Sequence, residues 1–149
     1  MTDYDLLIRQ ADELARDNVW DITLYANIAA LIYDSLADLS VSTISLLRDG
    51  ELQLGPFQGK TACTRIPIGK GVCGTAVAEK RIMRVADVHT CPGHIACDSA
   101  SASEIVLPIY DNDRIIGVLD IDSPVMNRFD DNDEEGLSRI VHMIEANIS

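Results

Sequence analysis

The sequence predicts an α+β domain in which helices pack on one face of an antiparallel sheet and long loops cover the other face. Three observations lead to this fold class. Apolar residues recur at helical spacing near both ends of the chain, two turn signals divide segments typical of strands, and a long loop rich in Cys, His, Pro and Gly precedes the second strand pair. Because 149 residues suffice for one apolar core, we expect a single domain over residues 1–149.

Two helices are predicted in residues 1–39. Apolar residues recur there every three or four positions, which places them on one side of a helix. They form two stripes, the first of Leu6, Leu7, Ala11 and Leu14 and the second of Ile22, Leu24, Ile28, Leu31, Ile32 and Leu36.

The sheet and the functional loops are predicted in residues 40–125. Strand-like residues lead into Arg48-Asp-Gly-Glu51, a two-residue hairpin signal that precedes Leu52 and Leu54. A second hairpin is predicted from strands 105–110 and 115–122, joined by residues 111–114. Neighbouring strands joined by such short turns are antiparallel.

Shorter elements and a final helix complete the predicted order. Residues 71–79 predict a short helix after a Gly-rich loop, residues 81–85 a short strand, and residues 86–103 a long structured loop. The acidic run 130–135 precedes apolar residues at helical spacing, so its charges suit the positive end of a helix dipole. A C-terminal helix is therefore predicted over residues 131–149.

The charge and the N-terminal residues exclude several functional classes. The chain carries 24 acidic and 12 basic residues, a formal charge of −12, which disfavours binding to nucleic acid. It opens Met1-Thr-Asp-Tyr-Asp5, unlike a basic signal peptide, and has no apolar run long enough to cross a membrane. We therefore expect a cytoplasmic protein, in which clustered cysteines indicate redox chemistry or metal binding more often than structural disulfides.

All four cysteines, Cys63, Cys73, Cys91 and Cys97, fall within 35 residues. A cysteine taken singly is most often a small buried apolar residue, and Cys73 fits that description best. Since Cys73 follows the start of a predicted helix, the helix N-terminus would also lower its pKa.

A metal site is the main competing interpretation of the cysteine loop. His89, Cys91, His94 and Cys97 offer four zinc ligands within nine residues. Their spacing matches no standard finger, and such a site would leave Cys63 and Cys73 unexplained, so we predict no metal ligands. A lone loop histidine such as His94 is given no catalytic role.

Two aspartates are predicted to share one face of the last strand. Asp120 and Asp122 alternate with Ile121, so both point to the same side of the sheet. If Glu104 reaches the same pocket, repulsion and burial should raise a carboxyl pKa. Alternatively, Asp122 caps a turn and Asp120 faces solvent.

An ordered set of motifs identifies a family resemblance. The segments Leu54-Gly-Pro-Phe-Gln-Gly59, Ala62-Cys-Thr-Arg-Ile-Pro67, Gly69-Lys-Gly-Val-Cys-Gly74, Pro92-Gly-His-Ile-Ala-Cys-Asp-Ser-Ala-Ser101, Ser103-Glu-Ile-Val106 and Gly117-Val-Leu-Asp-Ile-Asp-Ser123 resemble those of free methionine-(R)-sulfoxide reductases. That resemblance spans roughly residues 50 to 145 and implies a GAF-domain fold.

The resemblance implies a role for each residue of the site. Cys97 would be the nucleophile and Cys63 the resolving cysteine, with Cys73 a possible alternative resolver. The acids would bind substrate and supply a proton: Asp120, Asp122 and Glu104 for binding, with Glu104 and Asp122 also catalytic. Cys91 matches no family residue that we recognise. The resemblance further implies a homodimer, thioredoxin as reductant, and no metal or organic cofactor.

One segment departs from the resemblance. The family usually carries an Asn-Trp-x-Gly-Phe-Tyr motif whose Trp and Tyr enclose the substrate methyl group, whereas this chain has Ser40-Val-Ser-Thr-Ile-Ser45. The departure keeps a second interpretation open, a GAF domain that senses oxidants or a small ligand without turnover.

Overall fold

The computed structural model of the chain describes residues 1–90 and 101–148. Its helices are α1 (Tyr4–Arg16), α2 (Asp21–Ser35), α3 (Gly71–Glu79) and α4 (Asp131–Asn147), with a short 3-10 helix at Val88–Thr90. Its strands are β1 (Val41–Arg48), β2 (Glu51–Gly59), β3 (Arg65–Pro67), β4 (Met83–Val85), β5 (Ser103–Asp111) and β6 (Arg114–Ser123). These strands form one antiparallel sheet in the order β3-β2-β1-β6-β5-β4, which confirms the predicted α+β class.

The larger apolar core lies between one face of the sheet and the helices α1, α2 and α4. Alternate residues of the central strands point into it, because successive side chains of a strand face opposite sides. The buried strand residues in this cluster are Ile44, Ile105, Leu107, Ile109, Leu119 and Ile121.

Two residues predicted for the apolar stripe of α1 are exposed. Leu6 and Leu14 remain 44% and 39% accessible, whereas the buried residues are Tyr4, Leu7, Ala11 and Ala15. At about 100° per residue, Leu14 falls at the edge of this buried face and Leu6 well outside it. The spacing correctly predicted an amphipathic helix, but it misplaced the centre of the buried face around the helix axis.

A smaller apolar cluster occupies the opposite face of the sheet. The short helix α3 contributes Val72, Cys73, Ala76 and Val77, and the strands contribute Leu52, Val106 and Val118. The sequence predicted loops over this face, and the structure adds α3 beside them. Burial on both faces explains why β5 is almost continuously apolar.

Both hairpins form as the turn signals predicted. Arg48 pairs with Glu51 across Asp49 and Gly50, whose φ values of 54° and 77° suit the turn. In the second hairpin Asp111 pairs with Arg114, so the connection has two unpaired residues where four were predicted.

Helix α4 begins with the predicted acidic residues. The Asp133 backbone N–H donates to the Asp130 side chain at 2.9 Å, and the Asp130 N–H donates to the Asp133 carboxylate at 3.0 Å. Asp133 is buried and also accepts hydrogen bonds from Tyr4 at 2.7 Å and from Arg128 at 3.1 Å. These contacts fix the start of α4 against α1.

Among the described residues, no helix is both long and apolar enough to cross a membrane.

Candidate active site

Strand pairing brings the three predicted carboxylates together. Glu104 on β5 lies directly opposite Asp122 on β6, and Asp120 lies two residues away on the same face. On its other side, β6 pairs with β1, where Thr43 lies opposite Asp120. The acids therefore sit on two adjacent strands, β5 and β6, on the face opposite the larger core, and Thr43 of β1 lies beside them.

A pocket over these acids also contains two of the four cysteines. Cys63 lies in the loop between β2 and β3, and Cys73 lies in the first turn of α3. The lining residues are Val41, Thr43, Ser45, Leu54, Thr61, Ala62, Cys63, Ile66, Gly71, Val72, Cys73, Ser101, Glu104, Asp120 and Asp122. The predicted nucleophile Cys97, together with Cys91 and His94, lies outside the described residues.

Two carboxyl groups of the pocket, those of Glu104 and Asp120, have raised pKa values. Glu104 is 6% exposed, and its pKa is raised well above the ordinary value by burial first, then by the charges of Asp120 and Asp122. Burial also raises the pKa of Asp120, although hydrogen bonds from Glu104 and Cys73 oppose that shift. This confirms the expectation of a raised carboxyl pKa in a shared pocket.

Asp120 does not face solvent. Its Oδ1 is buried and has no hydrogen-bond partner among the described residues. The alternative in which Asp120 is a solvent-exposed strand residue is therefore wrong.

Cys73 is a free, buried thiol that contacts the acids. Its Sγ donates towards Glu104 Oε2 at 3.9 Å, and its pKa is raised well above the ordinary value by burial, then by the charges of Asp120 and Glu104. A helix N-terminus favours the thiolate by up to ~2 kcal/mol, about 1.5 pKa units. Full burial shifts a pKa by up to ~3–5 units, so burial prevails and the predicted lowering is wrong.

Cys63 differs from Cys73 in both burial and bonding. It is partly buried in a loop and is disulfide-bonded, whereas Cys73 is not. The two cysteines of the described pocket thus differ in oxidation state.

The pocket has hydroxyl groups that the sequence analysis missed. Ser101 lies just before β5, and its Oγ is buried without a hydrogen-bond partner in the part of the chain that the structure describes. Thr43 donates from Oγ1 to the Asp120 carbonyl at 3.0 Å. The sequence pattern could not identify Ser101 as a pocket residue. Ser101 lies before β5, so the alternation of side chains along a strand does not predict which way it faces.

The departure from the family motif falls on this pocket. Because side chains alternate along β1, Val41, Thr43 and Ser45 line the pocket while Ile44 enters the larger core. Small side chains therefore form the wall where the motif places large rings.

Comparisons with known proteins agree with this fold. The GAF domain model matches residues 22–148. The free methionine-R-sulfoxide reductase of Escherichia coli is 58% identical over 120 residues, covering 80% of this chain and 73% of that protein.

Solved structures give the same result. The reduced form of fRMsr from Staphylococcus aureus superposes with a TM-score of 0.97 at 54% identity, covering 100% of this chain and 97% of that one. The complex of fRMsr from Staphylococcus aureus with its substrate gives 0.95 at 53% identity over the same shares. The chain therefore belongs to the GAF-domain family of free methionine-R-sulfoxide reductases.

Proposed function

We propose that this protein reduces free methionine-(R)-sulfoxide to methionine. The observation that carries the proposal is the pocket in which Glu104, Asp120 and Asp122 meet beside Cys63, with the carboxyl pKa of Glu104 strongly raised. The E. coli relative named for this activity, at 58% identity, supports the choice of substrate.

Sulfoxide reduction needs a soft nucleophile and a proton donor, since oxide is a prohibitive leaving group. In the proposed first step, the Cys97 thiolate attacks the substrate sulfur and forms an S–S bond while a carboxyl group protonates the oxygen. The S–O bond and the S–S bond then break as the oxygen passes, as a hydroxyl group, to the Cys97 sulfur. Methionine leaves, reduced by two electrons, and Cys97, oxidised by two electrons, is a sulfenic acid.

The second step regenerates the thiols. The Cys63 thiol condenses with the Cys97 sulfenic acid, forming a disulfide and releasing water. An external dithiol, for which we propose thioredoxin, then donates two electrons and two protons to restore both thiols. The disulfide bond at Cys63 is consistent with this role.

The different surroundings of the acids suggest different tasks. Glu104 is buried and has a raised pKa, which supports it as the proton donor near neutral pH. No described residue hydrogen-bonds Asp120 Oδ1, which supports it as an acceptor for the substrate ammonium group. Asp122 lies opposite Glu104 and on the same face as Asp120, so its position suits either task.

Cys63 is the better resolving cysteine. The attacking group in disulfide formation is a thiolate, and the pKa of Cys73 is raised by burial and by neighbouring acids. Cys73 is better suited to hydrogen-bond the carboxylates as a neutral thiol.

The proposed activity is tested by turnover of the separated R and S forms of free methionine sulfoxide with thioredoxin recycling. We expect wild type to consume the R form, Cys97→Ser to be inactive, and Cys63→Ser to complete one turnover but recycle poorly. Cys91→Ser is the matched control and should retain activity. Absence of R turnover by reduced, folded wild type would exclude this substrate.

A redox sensor without turnover is the second candidate function, and the same assay distinguishes it from an enzyme. The small wall residues Val41, Thr43 and Ser45 favour a sensor, because they enclose a substrate methyl group less than large rings would. A GAF redox sensor would form the disulfide reversibly with peroxide yet turn over neither sulfoxide.

A further inference from the structure

We propose that Cys73, Glu104 and Asp120 form a binding site for a divalent cation of the zinc type, and that a cation bound there blocks the pocket. The first half of this proposal concerns binding alone. The second half, inhibition, rests on the proposed reductase function.

The ligand atoms already lie close together. One Sγ of Cys73 and one carboxylate oxygen each from Glu104 and Asp120 lie within 4.8 Å of one another, and Sγ is 3.9 Å from Glu104 Oε2. Zinc bonds of ~2.0 to 2.3 Å in tetrahedral geometry place neighbouring ligands ~3.5 Å apart. Separations of at most 4.8 Å would have to shorten by up to about 1.3 Å for the three atoms to bind one ion.

Two unpartnered polar atoms point independently to a ligand in this pocket. Ser101 is 6% exposed, and its hydroxyl has no hydrogen-bond partner within residues 1–90 and 101–148. Over the same residues, the buried Asp120 Oδ1 is also without a partner. A cation would coordinate the aspartate, and a water molecule on its fourth position would donate to Ser101 Oγ.

The donor set selects a borderline-soft cation. Calcium and magnesium prefer all-oxygen sites, whereas one thiolate with two carboxylates suits zinc and cadmium. The ligands also come from rigid elements, α3, β5 and β6. A substrate ammonium group would contact the two carboxylates but would not use the Cys73 sulfur as a ligand.

A cation in this site would exclude substrate. Glu104 could no longer donate a proton, and Asp120 could no longer accept from an ammonium group. Inhibition should therefore be competitive with the sulfoxide and reversed by a chelator.

The binding test removes the other thiols. In a Cys63→Ser, Cys91→Ser, Cys97→Ser background, Cys73 is the remaining cysteine. Zinc affinity is measured by competition with a chromophoric chelator, and cadmium is added to detect the thiolate-to-metal charge-transfer band. We expect one equivalent of zinc and a cadmium band.

Ligand variants in that background decide the site. Adding Cys73→Ser should abolish the cadmium band, and both Cys73→Ser and Asp120→Asn should weaken zinc binding by about 100-fold or more. Asp113→Asn, an exposed acid, is the matched control and should change neither. Zinc binding equal in the parent and in both ligand variants, or absent from all, would overturn the proposal.

Two further measurements keep the outcomes separate. If the triple variant does not fold, the wild type with its disulfide formed is used, and zinc should raise its unfolding temperature but not that of Cys73→Ser. Inhibition is measured on reduced wild type. Zinc binding without any sulfoxide turnover would contradict the proposed function alone, whereas turnover unaffected by bound zinc would contradict the blocking role alone.

Discussion

At the scale of single residues, the acid cluster works against the stability of the fold. Glu104, Asp120 and Asp122 occupy one pocket, and burial together with mutual repulsion raises the pKa of Glu104. Groups held in such an arrangement cost folding free energy, and the rest of the structure must offset it.

Replacing Asp120 with Asn should therefore stabilise the protein. The change removes one negative charge beside Glu104 while keeping a similar shape, so we expect about 1 kcal/mol at pH 7, or about 2–4 °C in the unfolding temperature. Sulfoxide turnover should fall in the same variant. Thermal unfolding followed by circular dichroism measures the effect, with Asp113→Asn as an exposed control. A lowered unfolding temperature would show that the Asp120 charge is fully compensated.

Some of the site could be predicted residue by residue. The alternation of Asp120 and Asp122 about Ile121 sufficed to place both on one face. The pairing of Glu104 with Asp122 could not be derived from spacing, because register depends on the whole strand pair. The direction of the Cys73 pKa was also missed, since sequence shows a helix start but not the depth of burial.

At the scale of elements, the contact between α1 and α4 is unusually close. The side chain of Tyr4 packs on the backbone of Gly136, and its hydroxyl donates to Asp133 at 2.7 Å. A glycine inside a helix ordinarily costs stability. Here it makes room for an aromatic ring.

Gly136→Ala should destabilise the protein, although alanine is the better helix former. The new Cβ would overlap the Tyr4 ring at its fixed end, so we expect a loss of about 1–3 kcal/mol from overpacking. Urea unfolding measures it. Glu135→Ala, exposed on the same helix, should change stability little. In a Tyr4→Ala background the sign should reverse, and equal losses in both backgrounds would contradict the steric explanation.

Elements were predicted better than their faces. The predicted helix over residues 71–79 is α3, but its apolar residues do not reveal which side of the sheet it covers. Likewise, Leu6 and Leu14 fit a helical stripe, and the position of Tyr4 against α4 decided which side was buried. Periodicity within one element cannot specify its partner.

At the scale of the whole molecule, carboxyl groups with opposite pKa shifts lie at two sites. The pKa of Asp130 is lowered, chiefly by the hydrogen bond from the Asp133 backbone N–H. The pKa values of Glu104 and Asp120 are raised, chiefly by burial. The helix cap and the pocket therefore respond to acid in opposite directions.

Stability should be greatest in mildly acidic solution. Asp130 stabilises the fold above its unfolded pKa of about 4, and this contribution is lost as pH falls through the lower folded value. Glu104 and Asp120 favour the fold below about pH 4, and this contribution is lost as pH rises through their higher folded values. Urea unfolding with a chelator present, from acid to neutral pH, should show a maximum near pH ~4–5.

Two variants test which group causes the loss of stability on each side of the maximum. Asp130→Asn should reduce the loss of stability below the maximum, and Asp120→Asn should reduce the loss between the maximum and neutral pH. A stability that rises steadily to pH 7 would contradict the role of the pocket.

The overall architecture was predictable because several signals agreed. Turn residues fixed both hairpins, helical spacing fixed the end helices, and the ordered motifs indicated the GAF fold that the comparisons confirm. The homodimer, the cytoplasmic location and the thioredoxin partner stay predictions, because a single chain carries no record of its neighbours. The role of Cys97 likewise stays a prediction.

The pairing of β5 with β6 has a consequence for errors in folding. A slip of one residue would turn Asp120 and Asp122 towards the apolar helices and Ile121 towards the pocket. Such a misfolded sheet would bury two carboxylates among aliphatic side chains, which is far less favourable than the native arrangement. The same acids proposed to act on substrate would thereby disfavour a slipped register of β5 and β6 while the chain folds.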